Sequence, residues 1–319
     1  MAQTTLEKKP ANSEPLQRIL DSIRALGLAD NLIELETQGY TTLRGVLTAE
    51  TIERAKKAII GRVERWRGRA VDAEAEDGAA YKGMQYVPYL LYEDEVFEDI
   101  LMEPRPLALI TYLLGESCLL SSMGCHFRGP GGSPLMMHSD NGNGMPPPFS
   151  NTSMVANVNY ALTPYSREAG ALAMVPGSHR WLRQPTAHEN FTPVNMTGGE
   201  VAARMREGES IDEVVWRDPP GAVSMDLAPG DAVVWHGNTW HGSFRRELPG
   251  VRMNLAVYFN RQFVQTQEAR GDEATRDLIA RHANDGRFGV LLGAKQPYGW
   301  RESGPDYSLM ARNPRGLYD

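Results

Sequence analysis

MMHSDNGNG (residues 136–144) sets a histidine two places before an aspartate at the end of an apolar run, then dissolves into Asn and Gly. In an extended strand, residues i and i+2 point to the same side, so His138 and Asp140 can reach one ion while Ser139 points away; a helix would separate them. Taken alone the triplet is weak. With seven histidines in the chain, about 0.4 His-x-Asp triplets arise by chance, and an ordinary strand end running into a turn explains one equally well.

A second cluster about a hundred residues on, PGDAVVWHGNTWHGS (229–243), changes the balance. Its strand-like run DAVVWH is followed by His241, and the next strand-like run opens with Arg252. Two His and one carboxylate, with the remaining coordination positions open, suit a non-haem Fe(II) centre. Arg252 carries a planar fork that grips a carboxylate through two parallel hydrogen bonds, which lysine cannot match. It opens the apolar run MNLAVYF, where an inward arginine needs an anionic partner; a surface position is the plain alternative.

The remainder of the chain bounds the setting. Its 319 residues, 41% hydrophobic and 23% charged, are ordinary for a globular protein. A net charge of -7 and a pI near 5.6 argue against a nucleic-acid partner. Cys118 and Cys125 form neither a disulfide framework nor a CxxC zinc pair, which points to a reducing cytoplasm. The N-terminus has no apolar run after Lys8 and Lys9, and no stretch reaches the roughly 20 residues of a spanning helix, so no membrane partner is expected.

Helical periodicity covers 15–27 and 49–69, the second behind Thr48 as N-cap, and a third helix over 94–114 is interrupted near Pro104 and Pro106. GYTTLRGVL reads as a short strand between the first two. From about 117 to 262, short β-rich runs separated by Gly, Pro, Asn and Asp predict a sandwich or barrel. The expected organisation is a flexible tail over 1–14 and one domain over 15–319. Within it lie helical support at 15–116, a β core at 117–262 with a lid insertion at about 180–217, and a C-terminal helix and tail at 263–319.

With EAGALAMVPGSHR (168–180) lying between the two clusters, the chain resembles the phytanoyl-CoA dioxygenase family of Fe(II)- and 2-oxoglutarate-dependent oxygenases over roughly residues 36–262. The resemblance rests on His138-Ser139-Asp140, the Pro-Gly-Ser-His stretch, WHGNTWHGS and Arg252, in that order. It implies a mainly β fold: a double-stranded β-helix, the cupin-like jelly-roll, buttressed by α-helices. It implies His138, Asp140 and His241 as ligands of Fe(II), with His241 holding the family's His-Gly-Ser position and His236 as the less favoured alternative. Arg252 becomes the partner of the distal carboxylate of 2-oxoglutarate, with Ser243 and Asn157 as further cosubstrate contacts. Asn159, Tyr160 and His126 are weighed for the same role. His179 is expected to lock the Pro-Gly-Ser-His turn, and His188 and His282 to be exposed.

The activity so implied consumes O2, converts 2-oxoglutarate to succinate and CO2, and hydroxylates an aliphatic C–H of a small to medium metabolite. Retention of Asp140 favours hydroxylation over halogenation. A CoA thioester would draw on Arg180, Arg183, Arg245 and Arg246; a terpenoid-like metabolite is preferred. Two rivals remain: a cupin dioxygenase that uses no 2-oxoglutarate, and a non-catalytic jelly-roll binding protein. The intact ligand set and Arg252 speak against both. Oligomeric state is not readable from the sequence.

Overall fold

The computed structural model describes residues 13–74, 84–294 and 299–306. Residues 1–12 of the expected tail and the chain beyond 306 lie outside the described residues, as do residues 75–83 and 295–298; Ser13 already opens the first helix. That helix, α1 (Ser13–Ala25), is followed by α2 (Ala29–Gln38), strand β1 (Tyr40–Leu43) and α3 (Ala49–Arg67). Thr48 caps α3 as expected, its hydroxyl accepting from the Thr51 amide at 3.1 Å. Next come β2 (Met84–Val87), α4 (Val96–Leu101) and α5 (Pro104–Leu114). The proline break falls where anticipated, with Pro104 and Pro106 in the first turn of α5, where proline sacrifices no helical hydrogen bond.

The β core continues with β3 (Leu119–Arg128), β4 (Leu135–His138), β5 (Val155–Ala161) and β6 (Leu172–Met174). The insertion holds β7 (Thr192–Pro193), helix α6 (Gly198–Glu207) and β8 (Trp216–Arg217), with β7 and β8 paired as a ribbon. Strands β9 (Val223–Ser224), β10 (Ala232–His236), β11 (His241–Ser243) and β12 (Arg252–Asn260) follow. Helices α7 (Glu273–Arg281) and α8 (Gly286–Leu291) come last.

The strands form two antiparallel sheets, a six-stranded one ordered β1-β10-β5-β12-β3-β2 and a four-stranded one ordered β4-β11-β6-β9. This is the jelly-roll expected from the sequence. One boundary differs: β1 and β2, from the stretch assigned to helical support, pair with β10 and β3 and extend the larger sheet. Four-residue strands carry too little periodicity to identify themselves as sheet members before their partners are known.

Alternation sorts the larger sheet into two faces. Outward-facing Met123, Cys125, Phe127, Leu255, Val257 and Val234 are buried against the helices, in one core with Ile59 of α3 and Leu109 of α5. The opposite face looks into the roll. There Ser122, Gly124, His126 and Arg128 of β3 stand opposite Tyr258, Ala256, Asn254 and Arg252 of β12. Tyr160, weighed for cosubstrate contact, lies on the helix side: its ring joins the outer core and its hydroxyl donates to the Ile100 carbonyl at 3.3 Å. Its parity is opposite to that of Asn157 and Asn159, so it cannot reach the interior.

The smaller sheet closes over this polar face, and one glycine sets its spacing. A Cβ on Gly242 would lie 2.3 Å from the Leu135 carbonyl oxygen and 3.0 Å from Met137 Sδ. Gly242→Ala must push β4 away from β11, an overpacking that costs about 1–3 kcal/mol. A thermal melt is expected to show a midpoint several degrees below wild type; an unchanged midpoint would mean that β4 yields freely.

Candidate active site

Residues His138 and His241 are direct cross-strand partners on β4 and β11, their ring centroids 4.3 Å apart. Strand β4 ends at His138, but Ser139 keeps extended dihedrals (φ -111, ψ 131), so Asp140 still falls on the same side before the chain turns through Asp140–Asn143. One ligand atom from each of His138, Asp140 and His241 lies within 4.8 Å of the others. The Asp140 carboxylate is 3.6 Å from His138 Nε2 and 3.5 Å from His241 Nε2.

Both imidazoles are oriented from behind. His138 Nδ1 is 2.9 Å from the Met136 carbonyl and His241 Nδ1 is 3.0 Å from that of Thr239. A carbonyl only accepts, so each Nδ1 carries the proton and each Nε2 lone pair faces the shared point. Burial holds the His241 imidazole down at about 4, which leaves it neutral at pH 7. Burial alone would raise the Asp140 carboxyl, but His241, His138 and the Trp235 indole hold it at about 2. The donor set, two imidazole nitrogens and one carboxylate, fits a divalent transition metal.

Asp140 is fixed from the opposite sheet. Asn157 on β5 donates to its Oδ2 at 2.5 Å and Trp235 Nε1 approaches the same atom at 3.4 Å. Asn157, expected beside the cosubstrate, is thus placed against the carboxylate, while its buried Oδ1 has no partner. Edge strand β4 is held by two side chains that the sequence reading did not single out. Asn190 bonds both the amide and the carbonyl of Met137 (2.8 and 3.0 Å), and Gln184 does the same for Ser139 (2.8 and 2.9 Å). Each amide imitates the missing neighbour strand, so the first part of the insertion braces the site.

At the other end of the interior lies Arg252, only 2% exposed. One of its Nη atoms donates to the Gly170 carbonyl, its guanidinium carbon sits 5.1 Å from the Tyr165 ring centroid, and its Nε has no partner. Directly opposite on β3 is Arg128, 1% exposed, which donates to Ser243 Oγ at 3.1 Å and to the Ser133 carbonyl at 2.5 Å. Among the described residues no carboxylate lies within 4.0 Å of either guanidinium. The sequence reading passed over Arg128, although it shares the parity of His126 and closes a β-rich run. Asn159 is committed to Tyr165 and Asn254 (3.2 and 2.6 Å).

His126 lies between the two ends. Burial, then the charges of Arg252 and Arg128, push its imidazole down to about 3, and its Nδ1 is buried without a partner. The remaining histidines are elsewhere. His236 faces Asn151 and Asn238, and His179 reaches the Glu36 carbonyl at 3.2 Å beside the Pro-Gly-Ser-His turn. His282, expected to be exposed, is half-buried, bonded to Glu98 at 2.5 Å and stacked on Phe288. An acidic side chain from 184 residues away supplies that partner, which local composition cannot reveal.

The phytanoyl-CoA dioxygenase (PhyH) family model matches residues 35–253. The chain is 25% identical over 246 residues to Dioxygenase af480 of Aspergillus fumigatus, covering 73% of this chain and 65% of that protein. It is 24% identical over 254 residues to Dioxygenase cdmD of Talaromyces verruculosus, covering 73% and 74%. Among solved structures, HygX of Streptomyces hygroscopicus, determined with nickel and 2-oxoglutarate bound, superposes with a TM-score of 0.50 at 19% identity, covering 75% of this chain and 88% of HygX; that likeness is one of fold. With the family model spanning most of its length, the chain belongs to the phytanoyl-CoA dioxygenase family.

Proposed function

We propose that this protein is an Fe(II)- and 2-oxoglutarate-dependent dioxygenase that oxidises an aliphatic C–H of a small to medium organic metabolite. One observation carries the reading: a converging His-Asp-His set and a buried arginine without a carboxylate partner face the same interior. His138, Asp140 and His241 hold the iron, and Arg252 binds the distal carboxylate of 2-oxoglutarate, with Ser243 beside it. When bound, the metal and 2-oxoglutarate supply an O2-dependent oxidation in which 2-oxoglutarate becomes succinate and CO2 while the substrate C–H is hydroxylated.

The protein's own residues orient and enclose. Asn157 and Trp235 fix Asp140, and the backbone carbonyls of Met136 and Thr239 fix the two imidazoles. The centre is sealed at His241, whose side chain is 3% exposed, and open at His138, 32% exposed. Substrate therefore approaches past His138 and the half-exposed Met136. The four arginines weighed for CoA each have partners within the protein. Arg183 pairs with Glu189 at 2.7 Å and Arg245 with Asp212 at 3.4 Å, while Arg180 and Arg246 donate to backbone carbonyls. This favours a metabolite without a nucleotide handle. Among the described residues no helix is long and apolar enough to cross a membrane. The two buried, unpaired cysteines suit a reducing cytoplasm.

An anaerobic titration of metal-free protein with Fe(II) and then 2-oxoglutarate tests the reading without a substrate. Wild type is expected to develop the weak visible charge-transfer band of the chelate, and His241→Ala to lose it. No band in wild type with iron bound would sink the 2-oxoglutarate assignment and promote the cosubstrate-free dioxygenase.

Asn157→Ala separates two roles for that residue. As the support of Asp140 it is expected to weaken metal binding by roughly 10–100-fold. An unchanged metal affinity with weakened 2-oxoglutarate binding would instead make it a cosubstrate contact.

A further inference from the structure

The interior holds two buried cations where one cosubstrate carboxylate requires only one. Arg128 and Arg252 are register partners on β3 and β12, both at most 2% exposed. Each leaves a buried Nε without a hydrogen-bond partner. Like charges brought together away from water destabilise the fold unless an anion lies between them. Burial, then the charge of Arg252, pulls the Arg128 guanidinium down to about 9.

Arg128 also governs a neighbour. Its Nη1 donates to Ser243 Oγ at 3.1 Å, across from one sheet to the other. A guanidinium has no lone pair to offer, so the Ser243 hydroxyl proton must point away from Arg128. Ser243 lies two residues after His241 on β11, on the same inward face. Its hydroxyl is thus a donor set between the metal end and the arginine end.

We propose that Arg128 is a second cationic arm of the pocket for the distal carboxylate of the 2-oxo acid, and that it presents the Ser243 hydroxyl as a donor to the same group. This rests on the 2-oxoglutarate reading above and deepens it: the site selects its cosubstrate by the distal charge. A strut that merely tied Ser243 to the Ser133 loop would need no charge.

The test is an anaerobic equilibrium titration of the full-length Fe(II)-loaded protein with 2-oxoglutarate and with 2-oxobutyrate, which carries the same 2-oxo acid head and no distal carboxylate. Arg128→Gln is expected to raise the Kd for 2-oxoglutarate by about tenfold to a hundredfold, the loss of a charge-assisted contact, and to leave that for 2-oxobutyrate unchanged. Proportional weakening of both ligands, or no change in either, would overturn the proposal. Should Arg128→Gln not fold, Ser243→Ala carries the test: about threefold to tenfold weaker 2-oxoglutarate with 2-oxobutyrate unaffected supports it, and wild-type affinity for 2-oxoglutarate overturns it. Iron-loaded wild type that binds no 2-oxoglutarate is a separate result, and it removes the underlying function.

Discussion

The register of β4 against β11 is the constraint on which the site depends. It sets His138 directly opposite His241, and a slip of one residue would turn one of the rings to the other face. Everything around the pair holds that register. Gly242 lets the two backbones approach, Gln184 and Asn190 bind the free edge of β4, and the Met136 and Thr239 carbonyls fix the ring tautomers. A metal site needs its ligands held before the ion arrives, and here backbone carbonyls and neighbouring side chains share the holding.

The larger sheet supplies the opposite requirement. Its helix side is a continuous apolar core, and an apolar cluster joining Val233 and Trp235 of β10 to Leu172 and Met174 of β6 adds to it between the sheets, so the fold does not rely on the polar groups of the interior for stability. The interior is thereby free to carry groups that burial penalises: two arginines, a neutral histidine and several side-chain atoms without partners. Polar ties cross the roll from Asn157 and Trp235 to Asp140 at the metal end and from Arg128 to Ser243 at the arginine end. A ligand lying between them would meet coordination at one end and positive charge at the other.

Much of this was legible in the sequence, for identifiable reasons. The His-x-Asp triplet, His241 and Arg252 are local patterns whose spacing carries the chemistry. Short β-rich runs and the proline break before α5 announce their own structure. What was hidden depends on distant partners. The sheet membership of β1 and β2 is settled by pairing with β10 and β3. Arg128 looks like any arginine at a strand end until Arg252 stands opposite it. Asn157 had the right parity to face the interior, but its partner, Asp140, comes from the other sheet. Gln184 and Asn190 lie in an insertion with no periodic signal, and their role exists only because β4 is an edge.

The most direct measurement is an anaerobic crystal structure of the protein with Fe(II) and 2-oxoglutarate, with anomalous data collected at the iron edge. The account requires one iron peak bounded by His138 Nε2, Asp140 and His241 Nε2, with the distal carboxylate of 2-oxoglutarate against Arg252. Iron located elsewhere, for example between His179 and His236, or a carboxylate directed away from Arg252, would contradict it.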